Sequence, residues 1–142
     1  LARHQMKIMG NESQWGEEYP SISLIMNDIE KKQCYIAVDN SEIVGVFSCI
    51  SGNDPTYEHI YQGKWLNDKP YITIHRIASS GKVAGLTSQL IQFCFALHPN
   101  IRIDTHRDNA VMLHILAKEG FHYCGNILLE DHSERLAYQK TK

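Results

Sequence analysis

Apolar positions in this chain fall into short runs separated by turn residues, and the spacing within each run changes along the sequence. Residues 1–9 read as the end of a helix, with Gly10 in the favoured place just past a helix C-terminus. Ser21 precedes Ile22, Ile25, Met26 and Ile29 at helical spacing, which predicts a capped helix over about 22–32. Cys34 to Val38 and Glu42 to Ile50 are runs of β-forming residues, and Asp39-Asn40-Ser41 between them is turn chemistry, so the pair predicts a hairpin. Residues 51–69 form a long polar and aromatic segment of the kind that is usually functional or mobile. Tyr71 to Ala78 predicts a strand, residues 79–85 a loop of small residues, and Leu86 to about Leu97 a helix. That helix carries Leu86, Leu90, Phe93, Cys94 and Leu97 on one face and stops before Pro99. Ile101 to Thr105 is a short strand, and Asn109 opens a helix that Gly120 ends. Phe121 to Leu129 and Arg135 to Gln139 read as closing strands. The order α, α, β, β, β, α, β, α, β, β predicts an α/β (α+β) fold with a mixed sheet flanked by helices.

Composition narrows the classes. A length of 142 residues suits one ordinary core, so residues 1–142 are expected to form one domain. Apolar residues at 43% and charged residues at 21% describe a soluble globular chain. The net charge of -2 argues against a general nucleic-acid partner. No run approaches the roughly 18 apolar residues that a membrane helix requires. Cys34, Cys49, Cys94 and Cys124 are far apart with no CxxC pair, which points to reduced thiols and a cytoplasmic location. His106, His114 and His122 lack metal-ligand spacing and no HExxH occurs, so no metal is expected. Arg102, Asp104 and Arg107 read as a charged face, with Asp104 also able to bond a substrate amine from its strand end.

The chemistry concentrates in strand, glycine-containing loop and helix over 71–97. A helix N-terminus presents unpaired N–H groups and a partial positive charge, which together suit phosphate. Gly81 and Gly85 let backbone approach an anion closely. Neither a Walker motif nor GxGxxG is present.

Ile74 to Ala78, then Lys82-Val83-Ala84-Gly85-Leu86-Thr87, resembles the acetyl-CoA signature of the GNAT N-acetyltransferase superfamily, Gln/Arg-x-x-Gly-x-Gly/Ala. Ile101 to Thr105, Asn109 and Gly120-Phe121 resemble the family's second motif. Lys82 stands where Gln or Arg is usual, and Thr87 where Gly or Ala is usual. The predicted order is that of the family lacking its first strand, which would precede residue 1. The resemblance implies a mostly antiparallel sheet with a splayed central strand pair, and acetyl transfer from acetyl-CoA to a primary amine by direct attack. It also implies roles. Backbone N–H groups from Val83 to Thr87, including Ala84, Gly85 and Leu86, would cradle the pyrophosphate, with Lys82 beside them. The strand end at Ile77, Ala78 and Ser79 would pair with the pantetheine arm, and Asn109 would bond that arm or simply cap its helix.

Many relatives carry a tyrosine acid seven residues after the Asn, but that position is Leu116 here. Tyr123 is the nearest substitute. The family's frequent base position falls on Thr73, which cannot act as one. His75 lies two residues on, and strand alternation places Tyr71, Thr73, His75 and Ile77 on one face. Histidine titrates near neutral pH and suits the base role. Trp15, Tyr19, Tyr61 and Trp65 are loop aromatics for the amine side, with Tyr57 and the carboxylates Glu17, Glu18, Glu58 and Asp68 beside them. A small-molecule or peptide amine is the expected partner, and a homodimer is left open. The competing reading is a coenzyme A binding or sensing module with little catalysis.

Overall fold

A computed structural model describes residues 1–11, 13–16 and 18–142. Glu17, one of the carboxylates named above, lies outside the described residues. The elements are α1 (Ala2–Ile8), α2 (Ile22–Glu30), β1 (Cys34–Asp39), β2 (Glu42–Ser51), a 3₁₀ turn (Pro55–Tyr57), β3 (Ile72–Ser79), α3 (Leu86–Leu97), β4 (Asn100–Thr105), α4 (Ala110–Lys118), β5 (His122–Leu128) and β6 (Glu134–Thr141). Their order is the one the sequence predicts. The local chemistry is also as read: Ser21 Oγ accepts from Leu24 N–H at 3.2 Å, and Asn109 Oδ1 from Met112 N–H at 3.1 Å. Asn40 and Ser41 turn the β1–β2 hairpin with φ of 47° and 64°, the pair of positive angles a two-residue hairpin turn needs.

The strands run β1-β2-β3-β4-β6-β5, all neighbours antiparallel except β3 and β4. The larger apolar core lies between one face of this sheet and α3 and α4, built on Phe47, Ile74, Ile91, Cys94, Ile101 and Leu116. A smaller core covers the other face, where Tyr57, Tyr71, Ile127 and Ala137 meet Trp65. Segment 51–69 is mostly exposed but is pinned to the sheet by buried Tyr57 and by hydrogen bonds. Trp65 Nε1 donates to the Tyr57 carbonyl at 2.9 Å, Leu66 N–H donates to buried Gln139 at 2.9 Å, and Tyr61 bridges to Asn126. Gly63 lies so close to the Cys124 carbonyl that a side chain there would collide with it.

Three expectations change. The apolar stripe of α2 faces outward, with Ile22 84% exposed, and the residue α2 buries is Asp28. On α3, Phe93 and Leu97 are exposed, while Ile91 takes a fully buried place beside Leu90 and Cys94. Arg102 is no surface charge. It is buried, with its guanidinium 4.3 Å from the Trp65 ring and 4.1 Å from the Tyr71 ring.

The feature that positions the site is the central strand pair. β3 and β4 are in register only at Ile72–Ile101 and Thr73–Arg102, then part. Val46 pairs with Ala78 but Ser48 with His75, so two β3 residues, Arg76 and Ile77, oppose the single residue Phe47. That is a β-bulge, and Arg76 takes φ of 55° to make it. The bulge breaks the alternation read from the sequence. Ile77 turns to the larger core with Ile74 instead of sharing a face with His75.

Candidate active site

A cleft of about 650 Å³ opens where β3 and β4 part. Its wall toward the larger core is Ile74, Ile77, Ile103, Thr105 and Met112, with Asn109 at the α4 N-terminus. Its opposite wall carries Asp54, His75 and Asp104, closed over by Trp15 and Tyr19 from the loop before α2. The splay thus makes a passage between the two faces of the sheet. It also leaves the facing edges of β3 and β4 without strand partners beyond Thr73 and Arg102.

Each polar group in the cleft has a defined setting. His75 Nε2 lies 2.9 Å from Asp54 Oδ2. Asp54 Oδ1 accepts from Thr56 N–H at 2.9 Å and Thr56 Oγ1 at 2.7 Å, capping the 3₁₀ turn. Burial alone would raise the Asp54 carboxyl, but the bonds from His75 and Thr56 outweigh it and hold it at about 2. Buried Tyr57 donates its hydroxyl to Asp104 Oδ1 at 2.6 Å. Burial, with Asp104 beside it, pushes that hydroxyl well above its ordinary value, so it stays a donor.

Arg76 reaches from the bulge to Asp28 in α2, with Nε to Oδ2 at 2.7 Å and Nη2 to Oδ1 at 2.8 Å. Ser48 Oγ donates to the same carboxylate at 2.6 Å, and Arg76 Nη1 donates to the Tyr19 hydroxyl at 3.2 Å. This network ties α2, β2, the bulge and the Tyr19 loop together.

At the end of β3, Gly81 and Gly85 take φ of 79° and 69°. Ser79 and Ser80 hydroxyls hold the N–H groups of Gly81 and Lys82 at 3.2 Å each. Among the described residues, the N–H groups of Val83, Ala84 and Gly85 have no partner, and those of Leu86 and Thr87 are in the first helical turn, where none is available within the helix. Lys82 Nζ meets Glu42 at 2.7 Å in an exposed pair.

Of the residues singled out from sequence, His75, Ile77, Asn109, Trp15 and Tyr19 line the cleft. Ala78 and Ser79 pair with β2 on one edge and are open on the other. Asn109 caps its helix and also donates to Gln14 at 3.1 Å. Tyr61, Trp65 and Tyr123 lie outside the cleft, as do Glu18, Glu58 and Asp68. Tyr61 is held at the β5 edge, Trp65 covers Arg102 and Tyr57, and Tyr123 bonds Asn126 at 2.5 Å on an exposed face. Leu116 is fully buried in the larger core. Asp54 and the Asp28–Arg76 pair are not among the residues the sequence points to. The one available signal for Asp54 was Asp54-Pro55-Thr56, a turn-initiating sequence. Among the described residues no group of three His, Cys, Asp or Glu is placed to hold a metal ion, and no helix is long and apolar enough to cross a membrane.

A GNAT family acetyltransferase from Streptococcus agalactiae superposes on 99% of the chain, and 84% of its own length, with a TM-score of 0.90 and 36% identity. The chain belongs to the GNAT family of acetyltransferases. A GNAT acetyltransferase from Listeria monocytogenes matches 98% of the chain and 82% of its own at a TM-score of 0.70 and 19% identity, a likeness of fold alone. So does Naa50 of Arabidopsis thaliana, solved in complex with the bisubstrate analogue CoA-Ac-MVNAL, over 98% of the chain and 91% of its own at 0.63 and 16%. No protein-family model and no curated protein matches the chain.

Proposed function

We propose that residues 1–142 act as one acyltransferase domain that moves an acetyl group from acetyl-CoA to a primary amine by direct attack. The observation that carries this reading is the passage between β3 and β4, joined to the unpartnered N–H groups at residues 83–87. Amides there suit the pyrophosphate, with Lys82 able to exchange its exposed pair with Glu42 for a phosphate as a point charge. The open β3 edge from Ile77 to Ser79 suits the amide-bearing pantetheine arm, which can imitate a strand. The bisubstrate complex of Naa50 supports a coenzyme A ligand in a fold of this kind.

The amine enters from the Asp54, His75 and Asp104 side, among carboxylates and beside Trp15 and Tyr19, surroundings that favour a cation. The ammonium gives one proton to His75, the neutral nitrogen attacks the thioester carbonyl carbon, and a C–N bond forms as the C–S bond breaks. The second proton leaves the attacking nitrogen for the thiolate, giving amide and free coenzyme A thiol. Leu116 offers no acid for that last step, and the moderately good thiolate leaving group does not demand one.

The test is incubation with acetyl-CoA and a panel of small-molecule and peptide amines while free thiol is followed. Amine-dependent thiol release supports transfer. Saturable coenzyme A binding with no release on any amine would instead favour a binding or sensing module.

A further inference from the structure

Building on the acetyltransfer reading, we infer that Asp54 is a positioning residue that fixes the tautomer of His75, making Nε2–H the donor and leaving Nδ1 as the nitrogen that accepts the amine's proton. The two carboxylate oxygens of Asp54 do two different things. Oδ1 takes both bonds from Thr56, and Oδ2 faces His75 Nε2 at 2.9 Å. Asp54 N–H is itself held by the Tyr71 hydroxyl at 2.9 Å, so the carboxylate is anchored from three directions before it meets the imidazole. A carboxylate accepts but cannot donate, so Nε2 must carry the hydrogen in the neutral ring. Nδ1 has no partner among the described residues, and His75 lines the cleft with its side chain 22% exposed.

The surroundings keep this arrangement intact through the proton transfer. Asp54 stays ionised across the working range of pH. Of the charged groups lining the cleft, Arg76 is paired with Asp28, and Asp104 Oδ1 accepts from the Tyr57 hydroxyl. The Tyr57 ring lies beside the imidazole, 6.2 Å between ring centres. The imidazolium formed when Nδ1 takes the proton is therefore paired with Asp54, and releases that proton to water after the product leaves.

Asp54→Asn separates this role from simple capping of the turn. The Asn carbonyl oxygen can keep the Thr56 bonds, so the fold is retained. Its amide then faces Nε2 as a donor, which forces the hydrogen to Nδ1, so Nδ1 can no longer accept the amine's proton. The experiment pairs ¹⁵N spectra of the His75 ring, recorded without substrate, with steady-state kinetics on an amine that supports thiol release. The expected result is Nε2–H in the wild-type chain and Nδ1–H in Asp54→Asn, with kcat lowered about a hundredfold or more and KM for acetyl-CoA unchanged. In addition, Asp54→Asn should slow His75→Ala no further. An unchanged tautomer, or a switched tautomer with wild-type kcat, overturns the inference. Thiol release absent from the wild-type chain on every amine overturns the acetyltransfer reading and this inference with it. The spectra report the His75–Asp54 geometry separately in that case.

Discussion

The bulge in β3 is held by a buried ion pair, and removing that pair has a calculable consequence. Asp28 and Arg76 side chains are 2% and 8% exposed, with a shortest contact of 2.7 Å. Asp28 accepts three bonds of 2.6 to 2.8 Å, from Ser48, Arg76 Nε and Arg76 Nη2. Asp28→Ala leaves the guanidinium buried without its counter-charge, and losses of this kind run to about 3–5 kcal/mol. That is a large share of the roughly 5–15 kcal/mol by which a domain is stable. Urea unfolding followed by the fluorescence of Trp15 and Trp65 measures it. With an m-value of about 2 kcal/mol/M, the midpoint should fall by about 1.5–2.5 M. The paired variant Asp28→Leu with Arg76→Met removes both charges, so it should regain most of the loss. Ser48 loses a hydrogen-bond partner in either case, which leaves a deficit of about 1 kcal/mol. A fall of less than about 0.5 M for Asp28→Ala would show that water already satisfies Arg76 and that this pair does not hold the bulge.

Asp54 also predicts an acid dependence. Its folded value of about 2 lies below the ordinary 3.8, so its contribution is complete above pH 4 and disappears as pH falls toward 2. Allowing for its partial exposure, the stability gap between the wild type and Asp54→Asn should shrink by about 1–2 kcal/mol over that window in denaturant titrations. Gly85→Val forces a β-branched residue into φ of 69°, and should weaken coenzyme A binding at least tenfold in calorimetry while the far-ultraviolet spectrum is kept. Wild-type affinity in that variant would remove the loop from the binding site. Tyr123→Phe should change kcat less than twofold, because its hydroxyl is occupied by Asn126 outside the cleft.

Much of the fold was legible because its punctuation is local. Ser21, Asn40-Ser41, Asn109 and Gly120 act through backbone angles and caps that depend on neighbours in sequence, and all four fall where a boundary was read. What failed depended on contacts far along the chain. The α2 stripe reads as a core face, yet its helix is anchored by Asp28 because a guanidinium 48 residues away comes to meet it. Strict alternation put Ile77 beside His75. One residue at positive φ, Arg76, reverses that, and nothing in a period-2 pattern marks it. The loop aromatics were split the same way. Trp15 and Tyr19 reach the cleft, whereas Trp65 is drawn inward by Arg102. Asp54 and His75 are 21 residues apart with a segment of tertiary structure between them, so their pairing had no sequence signal.

A crystal structure of the chain with acetyl-CoA shows whether the parted strands and the loop at residues 83–87 together receive the acetyl donor. The expected result is phosphate oxygens on the N–H groups of residues 83–87, the pantetheine arm along the free edge of β3, and the thioester within the cleft beside His75. A donor bound elsewhere, or a loop whose amides face away from its phosphates, would contradict it.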